Sequence, residues 1–136
     1  MPTHHPTVLY VDDDPMSRDV LKILFQKVMG ITDLFLLPNS ENFMAQVQAL
    51  PQLPEVIFLD IQVRPFNGYE MLSMLRQDPA YAHQPIIALT ANVMANDVER
   101  MKNAGFSGLI AKPITNRIFP LLFKKILAGE PVWYIS

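Results

Sequence analysis

The chain has 136 residues, a formal net charge of −2 and no cysteine. That length fits one domain with an ordinary core, and the missing thiols exclude disulfides, thiolate metal sites and cysteine nucleophiles. A hydrophobic share of 50% excludes wholesale disorder, and the near-neutral charge excludes a dedicated basic surface for nucleic acid.

Residues 1–6, Met1-Pro2-Thr3-His4-His5-Pro6, read as an N-terminal extension without the apolar core of a signal peptide. No apolar stretch approaches a membrane span, so the expectation is a cytoplasmic domain. His4, His5 and His83 share no ligand spacing, and the methionines read as core filling. The run Val8-Leu9-Tyr10-Val11 then stops on Asp12-Asp13-Asp14. Short runs rich in Val and Ile predict strands buried on both faces of a parallel sheet. Asp14 as N-cap and Pro15 at the first helical position predict a helix with a stripe at Met16, Val20, Leu24 and Val28, with Leu21 beside them, ended by Gly30.

Leu34-Phe35-Leu36-Leu37 predicts the second strand. Ser40 is read as the cap of a helix carrying Phe43, Val47 and Leu50. The third strand, Val56-Ile57-Phe58-Leu59, stops on Asp60, and Asn67-Gly68 opens the next helix. Pro85-Ile86-Ile87-Ala88-Leu89 leads to Thr90 as a fourth strand, followed by a helix with Met94, Val98 and Met101 on one side and Gly105 at its end. The fifth strand ends Leu109-Ile110-Ala111 before Lys112-Pro113, and a last helix follows Thr115.

Strands alternating with helices across short connections predict an α/β doubly wound parallel sheet of flavodoxin-like (βα)5 form, strand order 2-1-3-4-5. The expected domain spans residues 7–128, with an apolar tail over 129–136. In that order the first and third strands adjoin, and ligands collect at the carboxyl ends of such strands. Asp12, Asp13 and Asp60 would therefore meet. Two unit charges 4 Å apart repel by roughly 4 kcal/mol at an effective dielectric near 20, and a hard cation such as Mg2+ relieves this. Lys112 offers an ammonium to a phosphoryl oxygen and Thr90 a hydroxyl. A nucleophilic carboxylate, a metal, a hydroxyl and an ammonium suit phosphoryl transfer onto an aspartate. Asp60, alone at its strand end, is the expected nucleophile; Asp12 and Asp13 are the expected metal holders.

At Val11-Asp12-Asp13, Asp60, Asn67-Gly68, Thr90-Ala91 and Lys112-Pro113 the chain resembles the receiver domain of two-component response regulators, over residues 7 to 127. The resemblance implies that Asp60 takes phosphate from a sensor histidine kinase or a histidine phosphotransfer protein. It implies that Asp13, Asp60 and the backbone carbonyl of Gln62 bind Mg2+, with Mn2+ as a substitute, and that Asp12 reaches the ion through water. It implies a cis bond before Pro113 and a switch through Thr90 and the residue at position 109. Signalling would then run by protein contact to a downstream partner, with no direct nucleic-acid binding and a homodimer face between the fourth and fifth helices. The domain would phosphorylate itself and lose the phosphate slowly rather than act as an enzyme on others.

Four features depart from that pattern. Position 109 is leucine where receivers usually carry an inward-swinging ring. In the loop after Asp60, Pro65 stands one position late, and Gln62 and Asn92 bring uncharged amides to the path of attacking water, which predicts a long-lived phosphate. Pro120 requires that the last helix begin late or bend. The tail Val132-Trp133-Tyr134-Ile135 is too apolar to lie free and predicts packing on the domain or on a partner. A scaffold that acts without phosphorylation is the alternative. An aspartyl-phosphate phosphatase would need a second acid in Asp60-Ile61-Gln62, and a flavin carrier would need a hydroxyl- and Gly-rich loop in place of the three aspartates.

Overall fold

Buried apolar runs make the sheet. Strands β1 (Val8–Val11), β2 (Leu34–Leu37), β3 (Val56–Leu59), β4 (Ile86–Thr90), β5 (Gly108–Ala111) and β6 (Val132–Tyr134) pair in the order β2-β1-β3-β4-β5-β6, all parallel. The computed structural model describes residues 6–91 and 93–135. The expectations placed on residues 1–5, including His4 and His5, on Asn92 and on Ser136 lie outside the described residues.

Successive strand residues face opposite sides, and the core divides accordingly. Leu9, Val11, Ile57, Leu59 and Leu109 pack on one side with helices α2 (Phe43–Gln48), α3 (Gly68–Gln77) and α4 (Ala95–Ala104). Val8, Tyr10, Phe58 and Ile110 pack on the other with α1 (Pro15–Ile23) and α5 (Phe119–Leu127). There Phe25 lies edge-on to Phe123 at 5.1 Å and to Phe119 at 5.5 Å, within a cluster that includes Phe58.

Register places the site. Val11 stands beside Leu59, so Asp12 and Asp60, each one residue further, leave the sheet side by side. Thr90 stands beside Ala111, so Lys112 follows directly. The predicted order holds, and the apolar tail extends it: β6 lies parallel to β5 with Leu109 beside Trp133. Gly108 makes this docking possible, since a Cβ there would meet the Val132 carbonyl oxygen at 2.4 Å.

The stripe on the first helix is corrected. Met16, Val20 and Val28 are 74%, 44% and 49% exposed, while Leu21, Leu24 and Phe25 are buried. Each four-residue step drifts by roughly 40° around a helix of 3.6 residues per turn, which carries position 16 about 80° from the face of 24. A π-turn over Leu24–Val28, with Met29 N–H donating to the Leu24 carbonyl at 3.0 Å, turns Leu24 and Phe25 inward together. Gly30, with φ of 70°, follows the turn as expected.

Ser40 is not a helix cap. It is buried, donates to the Phe66 carbonyl at 2.7 Å and accepts from the Phe66 N–H at 2.7 Å, tying the loop after β2 to the loop after β3. Asn42, in the left-handed region, precedes α2 instead. Met94 stands ahead of α4 and is exposed, while Met101 is buried. Pro120 falls in the first turn of α5, where a missing N–H is harmless, so the last helix begins late rather than bending. Among the described residues no helix is long and apolar enough to cross a membrane.

Candidate functional site

Asp12, Asp60 and Lys112 each follow by two the residues Tyr10, Phe58 and Ile110, which face α1 and α5. Their side chains meet. The Lys112 ammonium donates to Asp12 Oδ2 at 2.7 Å, to Asp60 Oδ2 at 2.8 Å and to Ser17 Oγ at 3.2 Å. The cis bond between Lys112 and Pro113 is present as expected, and a second, Arg64–Pro65, was not anticipated.

Asp12 is fully buried and saturated. Its Oδ1 accepts from the Asp14 N–H at 2.9 Å, and its Oδ2 accepts from the Tyr10 hydroxyl as well as from Lys112. Asp60 is 8% exposed, and its Oδ1 accepts from the Gln62 N–H at 2.9 Å. Burial pushes the Asp60 carboxyl above the ordinary carboxylate range, helped by the Asp12 charge and opposed by Lys112 and the Gln62 N–H. Burial draws the Lys112 ammonium down, but its bonds and charges with Asp12 and Asp60 outweigh this and leave it raised. The Tyr10 phenol is driven far up, by burial first and by Asp12 second. Asp14 has its carboxyl lowered, chiefly by the Ser17 hydroxyl, which donates to Asp14 Oδ2 at 2.8 Å. Its Oδ1 also accepts from the Met16 N–H at 3.2 Å, the capping role expected of it.

Asp13 turns outward. It is exposed and lines a cleft of about 930 Å³ together with Gln62, Arg64, Asn67 and Arg100. The expected meeting of three carboxylates is therefore corrected: Asp12 is turned to Lys112 and Asp13 to solvent. Among the described residues no three His, Asp or Glu side chains gather closely enough to hold a metal between them. Asp13 and Gln62 line the same cleft, and Asp60 is tied to Gln62 through its N–H, so these three residues supply the carboxylate and carbonyl chemistry that a hard cation takes. Two carboxylates with a carbonyl and several waters suit Mg2+, which keeps much of its hydration.

Thr90 is buried at the end of β4, and its carbonyl accepts from the Lys112 N–H at 2.9 Å. Leu109 is wholly buried between Ala88 of β4 and Trp133 of β6. The Lys102 ammonium of α4 stands 5.1 Å from the Trp133 ring. Asn67 and Glu70 form a reciprocal capping box on α3. Gly68 lets that helix end approach: a Cβ there would lie 2.9 Å from the Asp60 carbonyl oxygen. This is the physical reason for Asn67-Gly68 at its distance from Asp60.

Three site residues escaped sequence reasoning. Tyr10 looked like one more apolar strand residue, and only its two-residue offset from Asp12 signals a contact. Ser17 lies one helical turn after Asp14. Arg18 donates from Nη1 to the Asp12 carbonyl at 2.7 Å, with no sequence signal of its own.

Comparison with known proteins agrees with this fold. The chain matches the response regulator receiver domain over residues 8–120. It is 39% identical over 109 residues to the polar-differentiation response regulator DivK of Brucella ovis, covering 80% of this chain and 85% of that protein. It is 30% identical over 120 residues to the signal transduction histidine-protein kinase BarA of Escherichia coli K12, covering 87% of this chain but 12% of that protein. Among solved structures it resembles chemotaxis response regulator CheY4 of Vibrio cholerae, with a TM-score of 0.79, 20% identity and coverage of 90% and 99% of the two chains. It also resembles the receiver domain of a histidine kinase from Syntrophus aciditrophicus, with a TM-score of 0.77, 23% identity and coverage of 91% of each chain. These two structures speak to the fold.

Proposed function

The chain belongs to the response regulator receiver domain family, and from that premise we propose that Asp60 accepts a phosphoryl group from a phosphohistidine and signals by changed protein contacts. The donor is a sensor histidine kinase or a histidine phosphotransfer protein. The observation that carries this reading is the Lys112 ammonium held between Asp12 and Asp60 at the ends of β1, β3 and β5.

An Asp60 oxygen attacks phosphorus, a P–O bond forms, the P–N bond to the donor imidazole breaks, and the released nitrogen regains its proton. Little covalent work falls to the protein beyond placing charge. Lys112 trades its contact with Asp60 Oδ2 for a phosphoryl oxygen, and the Thr90 hydroxyl takes another. Mg2+ held by Asp13, Asp60 and the Gln62 carbonyl would neutralise charge on the phosphoryl oxygens. Burial around Asp60 strengthens each of these interactions relative to water.

The docking face for the donor follows from what α1 leaves exposed. Met16, Val20 and Ile114 line a groove that also includes Lys112, and Val20, Ile23, Val28 and Ile114 line the next. An apolar helix face beside the acceptor suits a helical donor that presents its histidine there. On the output side, Leu109 stands beside Trp133 of β6, whose ring meets Lys102 of α4, while Thr90 stands beside Ala111 one strand earlier. Gln62 is one uncharged amide near Asp60, which supports a long-lived phosphate.

The test uses Mg2+ and acetyl phosphate, with intact mass as the readout. A gain of one phosphate that requires Mg2+ and is lost in Asp60→Asn supports the reading. No gain from acetyl phosphate or from any histidine kinase tried would leave the phosphorylation-independent scaffold.

A further inference from the structure

We propose that Tyr10 is a positioning residue that commits Asp12 to Lys112 and so withholds this carboxylate from the divalent cation. The inference rests on the reading of a cation site at Asp13 and Asp60.

Tyr10 is 1% exposed, and its ring packs among Leu21, Phe58 and Ile110 on the α1 and α5 side. A buried phenol hydroxyl in an apolar core must find an acceptor or forfeit its hydration. Asp12 lies two residues on, on the same face of the strand, and its Oδ2 is the acceptor. Phenylalanine would fill the same space, so packing alone does not call for the hydroxyl.

The consequence follows from the acceptor count. Asp12 Oδ2 holds both the Tyr10 hydroxyl and the Lys112 ammonium, and Oδ1 holds the Asp14 N–H. Both oxygens are engaged, the carboxylate is wholly buried, and part of its charge is spent on the phenol. Asp13, the next residue, points outward to the cleft wall it shares with Gln62. Paired acids in sequence are thereby divided: Asp13 faces the cation, while Asp12 holds Lys112 where a phosphoryl oxygen would arrive. The lack of any three-acid cluster among the described residues agrees with that division.

A double-mutant cycle on Mn2+ binding tests this, read as free Mn2+ by electron paramagnetic resonance without any phosphodonor. The variants are Tyr10→Phe, Asp12→Asn and the pair, each checked for folding by circular dichroism. Removing the hydroxyl opens one acceptor position on Asp12 Oδ2, which Lys112 still holds, and strengthens that carboxylate's pull on a nearby cation, so Tyr10→Phe binds Mn2+ roughly fivefold to tenfold more tightly. In the Asp12→Asn background the same change does nothing, because Tyr10 acts through Asp12. A purely structural hydroxyl predicts unchanged or weaker binding.

Unchanged or weaker binding in Tyr10→Phe overturns the proposal, as does an equal gain in both backgrounds. If wild-type protein binds Mn2+ and Asp13→Asn weakens it while Tyr10→Phe is silent, the cation site stands and the role of Tyr10 falls. If wild-type protein binds no Mn2+, the cation site falls and this proposal with it.

Discussion

Replacing Gly108 with alanine tests how the C-terminal strand is held. The new Cβ would lie 2.4 Å from the Val132 carbonyl oxygen, against the 3.0 Å below which such contacts essentially never occur, so β6 must retreat by about 0.6 Å. The neighbour is backbone, which cannot rotate away, and the other close atom, Ile87 Cδ1 at 3.1 Å, is a flexible side-chain end. Overpacking of this kind costs about 1–3 kcal/mol. Release of the strand sets a ceiling of similar size. It gives up the burial of Val132, about 1.5–2 kcal/mol, and the stacking of Lys102 on Trp133, about 0.5–1 kcal/mol. Melting temperature falls by about 3 °C per kcal/mol at this chain length, so Gly108→Ala should lower Tm by about 3–9 °C. Trp133 is the sole tryptophan, and its emission should shift to the red as β6 moves away. In a chain lacking residues 130–136 the same substitution should cost almost nothing, because the carbonyl it strikes is gone. Wild-type Tm and emission in Gly108→Ala, or an equal loss in the shortened chain, would refute the reasoning.

Lys112→Met leaves buried Asp12 facing Asp60 without their shared cation, and the urea midpoint should report a loss of about 3 kcal/mol that Mg2+ partly restores. Arg76 on α3 reaches the carbonyls of Tyr81, Gln84 and Gly105 and the Ser107 hydroxyl. Arg76→Lys should not replace that planar fork, and chemical denaturation should show a loss of about 2 kcal/mol. Burial, with Asp78 adding to it, raises the Tyr81 phenol above its ordinary value. The unfolded chain therefore ionises first as pH rises past about 10, and stability falls there. Tyr81→Phe should flatten that alkaline slope, and an unchanged slope in thermal unfolding would exclude Tyr81 as its source.

The cluster of Asp12, Asp60 and Lys112 was legible because strand ends carry their own signal. Uninterrupted apolar runs stopping on Asp12, Asp60 and Lys112 imply a buried parallel sheet, and the register of Val11 with Leu59 makes two of those stops neighbours. What stayed hidden depends on direction rather than on residue type. Asp12 and Asp13 are alike in sequence, yet alternation sends one to Lys112 and the other to the cleft. Met16, Val20 and Val28 carry the hydrophobicity of a core stripe, but of that stripe Leu24 is buried, and the π-turn after Ile23 brings Phe25 inward beside it. Ser40 has the chemistry of a cap, and only the fold reveals that Phe66 offers it both a donor and an acceptor. The tail was recognisably too apolar to lie free. That it would add a strand depended on Gly108 leaving room, on a strand far away in sequence.

The central claim is that Asp60 carries the phosphate, and borohydride trapping tests it most directly. Borohydride reduces an acyl phosphate on aspartate to homoserine, which peptide mass mapping locates to a single residue. After exposure to a phosphohistidine donor and Mg2+, the account predicts homoserine at position 60, with Asp12, Asp13 and Asp14 unchanged. Conversion at one of those three instead, or none at all from a donor that phosphorylates another receiver in the same mixture, would contradict it.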